Sequence, residues 1–179
     1  MATLVEHLRA HALRTGGPFT LRSGAVTDWY VDARATTFDG VGASAAAGAV
    51  LDVLDPTVTA VGGMTMGADP IAVATAVVGT MAGRPLRAFS IRKAAKDHGM
   101  GGRLVGPITT EDRVAVLEDT TTTGGALMEA IDVLEAEGIT VVQAISLVDR
   151  SEGAVADRVA ARGIPYAPLV LPDQLGVSG

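Results

Sequence analysis

The stretch from Val114 to Gly125 reads Val-Ala-Val-Leu-Glu-Asp-Thr-Thr-Thr-Thr-Gly-Gly. Its apolar start predicts a buried strand, and its glycine pair predicts a tight turn after the acids and threonines. A helix is predicted next, because apolar residues recur at helical spacing at Leu127, Met128, Ile131 and Leu134. A strand, a short loop and a helix in this order predict one unit of a parallel sheet.

The loop of this unit has the chemistry of a phosphate site. The unpaired N–H groups and positive dipole end of a helix favour an anion, and threonine hydroxyls add donors. Glu118 and Asp119 precede the loop, where carboxylates can accept hydrogen bonds from ribose hydroxyls or help hold a hydrated magnesium ion. The stretch therefore predicts a ribose 5-phosphate site. A plainer interpretation is a threonine-rich turn with a helix cap and two solvated acids.

A second stretch, from Ile91 to Gly102, concentrates positive charge. It holds both lysines of the chain, Lys93 and Lys96, together with Arg92 and His98. The glycines that follow predict a loop able to close over a charged substrate. A solvated charge cluster is the plainer alternative, but the formal net charge of −6 makes this cluster a local exception that favours a bound anion.

Both stretches resemble motifs of one enzyme family. The first resembles the phosphoribosyl pyrophosphate (PRPP) loop of the type I phosphoribosyltransferases, in which two acids and two variable residues precede Thr-Thr-Gly-Gly. The second, Arg-Lys-Ala-Ala-Lys-Asp-His-Gly, is similar to the catalytic loop Arg-Lys-x-x-Lys-x-His-Gly of the orotate phosphoribosyltransferases within that family. The segment from Phe19 to Gly24 and the Val-Asp-Arg run ending at Arg150 also resemble family segments, in the family's order.

The resemblance implies a role for each matching residue. The residues implied for PRPP binding are Arg92, Lys93, Lys96, His98, Glu118, Asp119, Thr120, Thr121, Thr122, Thr123, Gly124, Gly125 and Ala126. Lys96 is the implied catalytic lysine. Orotate is expected to contact Thr122 and Arg150, less directly Arg22, in a pocket lined by the strand that contains Tyr30. A guanidinium fork suits the planar orotate carboxylate.

The resemblance also implies a turn that binds pyrophosphate through Gly63 and Thr65. Some family members carry lysine at the positions of Arg22 and Met66. Because Met66 has no charge, this turn is expected to use backbone N–H groups and the Thr65 hydroxyl instead.

The resemblance implies the α/β type I phosphoribosyltransferase fold, a mostly parallel, doubly wound sheet flanked by helices with a small N-terminal hood. We expect one domain over 1–179, with a hood at about 1–40 packed on a core at about 41–179. The patterns predict helices at 3–14, 43–54, 69–81, about 126–137 and 152–161, and strands at 19–21, 29–33, 58–61, 86–91, 114–117, 140–148 and 166–170.

The implied activity is magnesium-dependent transfer of ribose 5-phosphate from PRPP to orotate, in pyrimidine biosynthesis. Magnesium is expected to arrive mainly through PRPP, with no dedicated set of protein ligands. The family's loop reaches into a neighbouring subunit, which implies a homodimer. A phosphoribosyltransferase for another nucleobase and a non-enzymatic PRPP-sensing regulator remain the alternatives.

Composition excludes several other classes. The chain has no cysteine, which excludes disulfides and thiolate metal sites. The sequence shows no signal pattern and no apolar run near the ~20 residues of a membrane helix, so we expect a cytoplasmic protein without membrane contact. The acidic pI of about 4.9 argues against nucleic-acid binding.

Overall fold

The computed structural model describes residues 2–20, 24, 26–94 and 102–178. In chain order its elements are helix α1 (Leu4–His7) with a π-helical continuation (Leu8–Ala12), strands β1 (Leu13–Thr20) and β2 (Val26–Val31), helices α2 (Arg34–Thr37) and α3 (Gly40–Val53), β3 (Ala60–Met64), α4 (Ala68–Met81), β4 (Arg87–Ile91), β5 (Leu104–Val105), β6 (Arg113–Thr121), α5 (Gly125–Ala136), β7 (Thr140–Asp149), α6 (Ala154–Ala160), β8 (Tyr166–Val170) and α7 (Pro172–Leu175).

The centre of the molecule is a six-stranded sheet in the order β5-β4-β3-β6-β7-β8. The short edge strand β5 runs antiparallel to β4, and the other neighbouring pairs are parallel. The predicted α/β class with a mostly parallel sheet is confirmed.

The central strand β6 is apolar on both faces because both faces are covered. Val114 and Val116 belong to a hydrophobic cluster formed with α5 and α6. Ala115 and Leu117 point the other way, into a second cluster formed with α3, α4 and the N-terminal elements. Alternate residues of one apolar run thus serve two cores, which is typical of a sheet between helical layers.

The strand order places two loops beside one another. Strands β3 and β6 are neighbours in the sheet, although β4 and β5 lie between them in the chain. The chain leaves β3 toward one edge and later returns on its other side, so the direction of strand addition reverses between β3 and β6. Ligands of such sheets bind at this reversal, at the carboxyl ends of the strands. The turn after β3 and the loop after β6 meet there.

The N-terminal helix and hairpin differ from their predicted bounds. The helical segment ends at Ala12 rather than near Arg14, and β1 begins at Leu13. Leu13 pairs with Val31 across an antiparallel ladder that continues through Arg14 and Tyr30. The hairpin ladder therefore takes residues whose local pattern favours a helix, because pairing with a distant strand outweighs the small differences in helix propensity.

Other differences concern short elements and strand ends. Helices α2 and α7 and strand β5 were not predicted, since two to four residues carry no detectable periodicity. Strand β6 extends to Thr121, past the predicted end of its apolar run, because β7 continues to pair with it up to Asp149. Within the described residues, no helix has the length and apolar content needed to cross a membrane.

Asp112, just before β6, links the beginnings of three neighbouring strands at the end of the sheet opposite the two loops. Its side chain is buried and accepts hydrogen bonds from Thr59 Oγ1 at 2.6 Å and from the Thr109 N–H at 2.8 Å. It also forms an ion pair with Arg87, the first residue of β4. Burial opposes ionisation of Asp112, but these bonds and this cation outweigh it and hold the carboxyl pKa below its ordinary value.

We expect Asp112→Ala to lower the free energy of unfolding by about 3 kcal/mol, because it removes a buried charged acceptor on which two hydrogen bonds and an ion pair converge. Chemical denaturation at neutral pH measures this loss. A carboxyl with a lowered pKa stabilises the fold above its ordinary pKa, so the difference from wild type should shrink as the pH falls below about 4.

The control for this prediction is Asp132→Ala. Asp132 is also paired with an arginine, Arg162, but its side chain is 62% exposed. A solvent-exposed pair contributes less than about 1 kcal/mol. Equal losses in the two variants would contradict the stabilising role of the buried Asp112 contacts.

Candidate active site

Glycines stand at the end of β3 and in the turn that follows it, at positions where neighbouring atoms leave no room for a side chain. A Cβ atom at Gly63 would overlap the Leu117 carbonyl of β6, and one at Gly67 would press on the Asp119 carboxylate at 2.8 Å. The peptide bond between Thr65 and Met66 is cis. The Thr65 hydroxyl donates to Asp69 Oδ2 at 2.7 Å, so the predicted pyrophosphate turn is held by the first turn of α4.

The loop after β6 runs directly into the N-terminus of α5, as predicted. Gly124 adopts a left-handed backbone with φ of 71°, and a Cβ atom there would press on Val155 of α6 at 2.9 Å. Arg158 of α6 donates to the Thr123 carbonyl. The backbone from Thr120 to Leu127 surrounds a cavity of about 140 Å³. The cavity lies where the first N–H groups of α5 have no helical partner.

Thr121 differs from the other threonines of the loop. Its side chain is buried, and its hydroxyl lies 3.0 Å from Asp149 Oδ1 and 3.1 Å from the Tyr166 hydroxyl. The Thr121 hydroxyl is therefore already engaged inside the protein. The predicted hydroxyl contacts with phosphate fit Thr122 and Thr123 better, since both side chains are exposed.

Glu118 and Asp119 lie on β6 where the two loops meet. Burial first, and then the adjacent Asp119 charge, raises the pKa of Glu118 to about 8. Among the described residues, Glu118 Oε2 is buried without a hydrogen-bond partner. A buried carboxyl with an unused oxygen and a raised pKa is typical of a functional site, because a purely structural acid would have its acceptors filled.

A cavity of about 590 Å³ brings the separate motifs together. Its lining residues are Arg34, Met64, Thr65, Met66, Gly67, Lys93, Glu118, Asp119, Ala126 and Glu129. The pyrophosphate turn, the start of the lysine cluster and the acid pair thus face one space. The structure brings residues from all three predicted motifs to one cavity.

The lysine cluster begins at the end of β4. Arg92 is fixed there, because its N–H donates to the Arg103 carbonyl at 2.9 Å and its own carbonyl accepts from Arg103 Nε at 2.7 Å. The predicted residues Lys96 and His98 lie outside the described residues, as does Arg22. Their assignments remain predictions from the sequence.

Arg150 follows β7, next to the phosphate loop. Its N–H donates to the Thr121 carbonyl at 2.8 Å, and its guanidinium carbon lies 4.0 Å from the ring centroid of Trp29. Trp29 is buried and donates its indole N–H to the Ser178 carbonyl at 2.7 Å. Burial lowers the pKa of Arg150, and its Nε has no partner among the described residues. A half-buried cation with an unused donor is suited to a carboxylate.

Two side chains of this region were not among the predicted site residues. Arg34 lines the large cavity from α2, where a hydrogen bond to Asp32 raises its pKa and the Asp119 charge adds to the effect. Trp29 supports Arg150 through the cation–π contact. In the part of the chain that the structure describes, no group of three or more His, Asp or Glu side chains forms a metal site.

No protein-family model matches the chain. Individual relatives match nearly all of it. An orotate phosphoribosyltransferase of Streptomyces avermitilis is 43% identical over 162 residues, which are 90% of this chain and 89% of the relative. An orotate phosphoribosyltransferase of Corynebacterium glutamicum is 43% identical over 179 residues, which are 99% of this chain and 94% of the relative.

Solved structures agree. Mycobacterium tuberculosis H37Rv orotate phosphoribosyltransferase in complex with Fe(III) dicitrate matches with a TM-score of 0.84 and 35% identity, over 97% of both chains. The same enzyme in complex with PRPP matches with a TM-score of 0.80 and 32% identity, again over 97% of both chains. The chain belongs to the orotate phosphoribosyltransferase family and has its type I phosphoribosyltransferase fold.

Proposed function

We propose that the chain transfers ribose 5-phosphate from PRPP to orotate, which yields orotidine 5'-monophosphate and pyrophosphate in pyrimidine biosynthesis. One observation carries this proposal. Thr65, Lys93 and Asp119 come from three distant sequence motifs, and they line one cavity at the reversal of strand order. Relatives named orotate phosphoribosyltransferase, some of them with solved structures, support the same reaction. A cytoplasmic location is part of the proposal.

PRPP is proposed to bind across the two loops. Its 5-phosphate occupies the small cavity at the N-terminus of α5, where N–H groups and the hydroxyls of Thr122 and Thr123 donate to it. Its ribose hydroxyls donate to Glu118 and Asp119, and its pyrophosphate lies against the turn around Thr65. These contacts extend the ligand from the small cavity into the large one.

Glu118 and Asp119 also fit a hydrated magnesium ion that arrives with PRPP, because Mg²⁺ prefers oxygen ligands and Glu118 Oε2 has no partner among the described residues. When bound, magnesium neutralises charge on the pyrophosphate oxygens. The carboxyl pair then keeps the ribose in place and compensates positive charge on the ring.

Catalysis depends on stabilising the leaving pyrophosphate. The bond between the anomeric carbon and the pyrophosphate oxygen breaks ahead of the bond that a ring nitrogen of orotate forms to the same carbon, so the ribose carries positive charge in between. The ring nitrogen gives up its proton as its bond forms, and pyrophosphate leaves. Lys96, with Lys93, Arg92 and His98, is proposed to compensate the growing negative charge on pyrophosphate. Such help is largest where water is excluded.

Arg150 is proposed to select orotate through its carboxylate. Its guanidinium is held against the Trp29 ring and retains an unused Nε donor among the described residues. Uracil lacks this carboxylate, so it would leave the half-buried cation unpaired. An unpaired buried charge costs more than a lost contact at the surface.

A homodimer is also part of the proposal, with the lysine cluster of one subunit completing the site of the other. An apolar stripe on α4 supports it. Val73, Val77 and Met81 lie at successive helical turns and are 57%, 52% and 83% exposed. Exposed apolar patches of this kind mark protein interfaces. Helix α4 starts at the pyrophosphate turn, so an interface along it lies beside the site.

The first prediction concerns the substrate and the division of roles. With PRPP and Mg²⁺, the wild-type chain should consume orotate, measured as loss of ultraviolet absorbance and release of pyrophosphate, and should leave uracil, hypoxanthine and adenine unused. We expect Arg150→Ala to raise the orotate KM roughly tenfold to hundredfold with a smaller change in kcat. Lys96→Ala should lower kcat roughly hundredfold with little change in that KM.

Activity on a different base alone would contradict the substrate and the role of Arg150. Binding of PRPP without turnover of any of the four bases would indicate a PRPP-sensing regulator rather than an enzyme. Equal effects on kcat and KM in both variants would reject the division of roles between Lys96 and Arg150.

A second prediction concerns the dimer. Lys96→Ala and Arg150→Ala subunits are each nearly inactive at low orotate concentration, but a mixed dimer contains one site with both residues intact. An equal mixture that exchanges subunits should therefore regain about a quarter of wild-type activity. A mixture no more active than its components would place Lys96 in its own subunit's site.

Val77→Asp on the α4 stripe should shift the mass measured by light scattering toward the monomer.

A third prediction concerns Glu118. Because its pKa is raised to about 8, the free protein carries a proton there at pH 7. Hydroxyl donors or a cation favour the ionised form, so binding of PRPP with Mg²⁺ should release roughly one proton per site. Calorimetry at pH 7 in buffers of different ionisation enthalpy measures this release.

Glu118→Gln should abolish the buffer dependence of the binding enthalpy. Glu129→Gln is the matched control, because Glu129 lines the same cavity but its side chain is 47% exposed. If proton release persists in Glu118→Gln, the released proton belongs to another group.

A further inference from the structure

A buried polar cluster lies behind the phosphate loop and spans three adjacent strands of the sheet. It consists of Thr121 on β6, Ser146 and Asp149 on β7, and Tyr166 on β8. Thr121, Ser146 and Asp149 are buried, with exposed fractions of 4% or less. Their burial places them beneath the proposed substrate contacts, where a network of polar groups needs mutual hydrogen bonds to be stable.

The hydrogen bonds of this cluster can be followed outward from the Asp149 carboxylate, which only accepts. The carboxylate oxygen Oδ1 of Asp149 accepts from the Ser151 N–H at 2.8 Å and from the Thr121 hydroxyl at 3.0 Å. Because Thr121 has one hydroxyl proton and gives it to Asp149, its oxygen can accept from the Tyr166 hydroxyl at 3.1 Å.

Tyr166, on the next strand, is the last member of this chain of hydrogen bonds. Its hydroxyl lies 2.6 Å from Ser146 Oγ, so the two share a further hydrogen bond. Burial raises the pKa of Tyr166 to about 12, and the phenol therefore keeps its proton and can donate throughout the neutral range. Three strands are thereby joined by side chains as well as by their backbone ladders.

Two members of the cluster stand immediately before proposed substrate-binding groups. Thr121 is the last residue of β6, before the phosphate loop, and Asp149 is the last residue of β7, before Arg150. The two residues are direct partners in the β6–β7 register. The side-chain bond between them thus fixes the distance between the end that holds the phosphate and the end that holds the base.

We propose that Asp149, Thr121 and Tyr166 form a positioning network that holds the phosphate loop and Arg150 in the relative placement that ribosyl transfer requires. The inference rests on the proposed function. Nucleophile and anomeric carbon must approach to ~3–3.5 Å for the transfer, and a displacement of about 1 Å can cost roughly hundredfold in rate. Each site alone tolerates such a displacement, since PRPP and orotate then bind in slightly shifted positions.

The network therefore predicts a loss of turnover without a matching loss of affinity. Thr121→Val keeps the side-chain shape but removes the hydroxyl, and it should lower kcat roughly tenfold to hundredfold. Tyr166→Phe, which removes the next donor, should cause a smaller loss of the same kind. In both variants, the Kd for PRPP measured by calorimetry should stay within about threefold of wild type. The value of kcat is calculated per PRPP-binding site, so that a loss of folded protein does not count as a loss of turnover.

The double variant Thr121→Val/Tyr166→Phe should be little slower than Thr121→Val, because members of one chain have non-additive effects. The matched control is Thr75→Val. Thr75 on α4 is also buried, and among the described residues its hydroxyl has no hydrogen-bond partner. Its replacement should leave kcat and the PRPP Kd unchanged.

Two results would overturn the inference. A PRPP Kd raised more than about tenfold in Thr121→Val, with Tyr166→Phe silent, would make Thr121 a direct phosphate ligand. A lower melting temperature and fewer binding sites, with kcat per site unchanged, would make the cluster purely structural. Failure of the proposed function itself is distinguishable, because the wild-type chain would then not turn over orotate at all.

Discussion

The close approach of β3 and β6 is the constraint on which the rest of the site depends. A Cβ atom at Gly62 would overlap the Phe89 carbonyl of β4, and one at Gly63 would overlap the Leu117 carbonyl of β6. Strand β3 can therefore lie between its two neighbours only without side chains at these positions. Because β3 is held this close, the pyrophosphate turn and the acid pair of β6 face one cavity rather than two.

Buried polar atoms without partners distinguish the carboxyl ends of these strands within the described residues. Glu118 at the end of β6 and Arg150 after β7 each carry a buried polar atom without a partner among the described residues. Burial shifts both pKa values toward the neutral form, upward for Glu118 and downward for Arg150. Such groups cost stability in the free protein, and a ligand with hydroxyls and a carboxylate satisfies both. The amino ends of the strands differ in this respect, because the carboxylate oxygens of Asp112 accept hydrogen bonds from Thr59 and Thr109.

The sequence predicted the strand, loop and helix around Glu118 because apolar runs and glycine pairs act locally. It failed where a distant contact decides. Leu13 and Arg14 continue a helical pattern but join β1, since β2 offers them a ladder. Thr121 was predicted as one of four threonine donors to the phosphate, and only the position of Asp149 on the next strand reveals that its hydroxyl is already engaged.

Local sequence patterns are sufficient for the order of the elements, the identity of both loops and the family they resemble, because these depend on residues close together in the chain. Tertiary structure decided which side chains share a cavity. It brought Arg34 to the acid pair, set Trp29 against Arg150 and raised the pKa of Glu118. Burial and contact between residues far apart in sequence produce these effects, and no local pattern of residues encodes them.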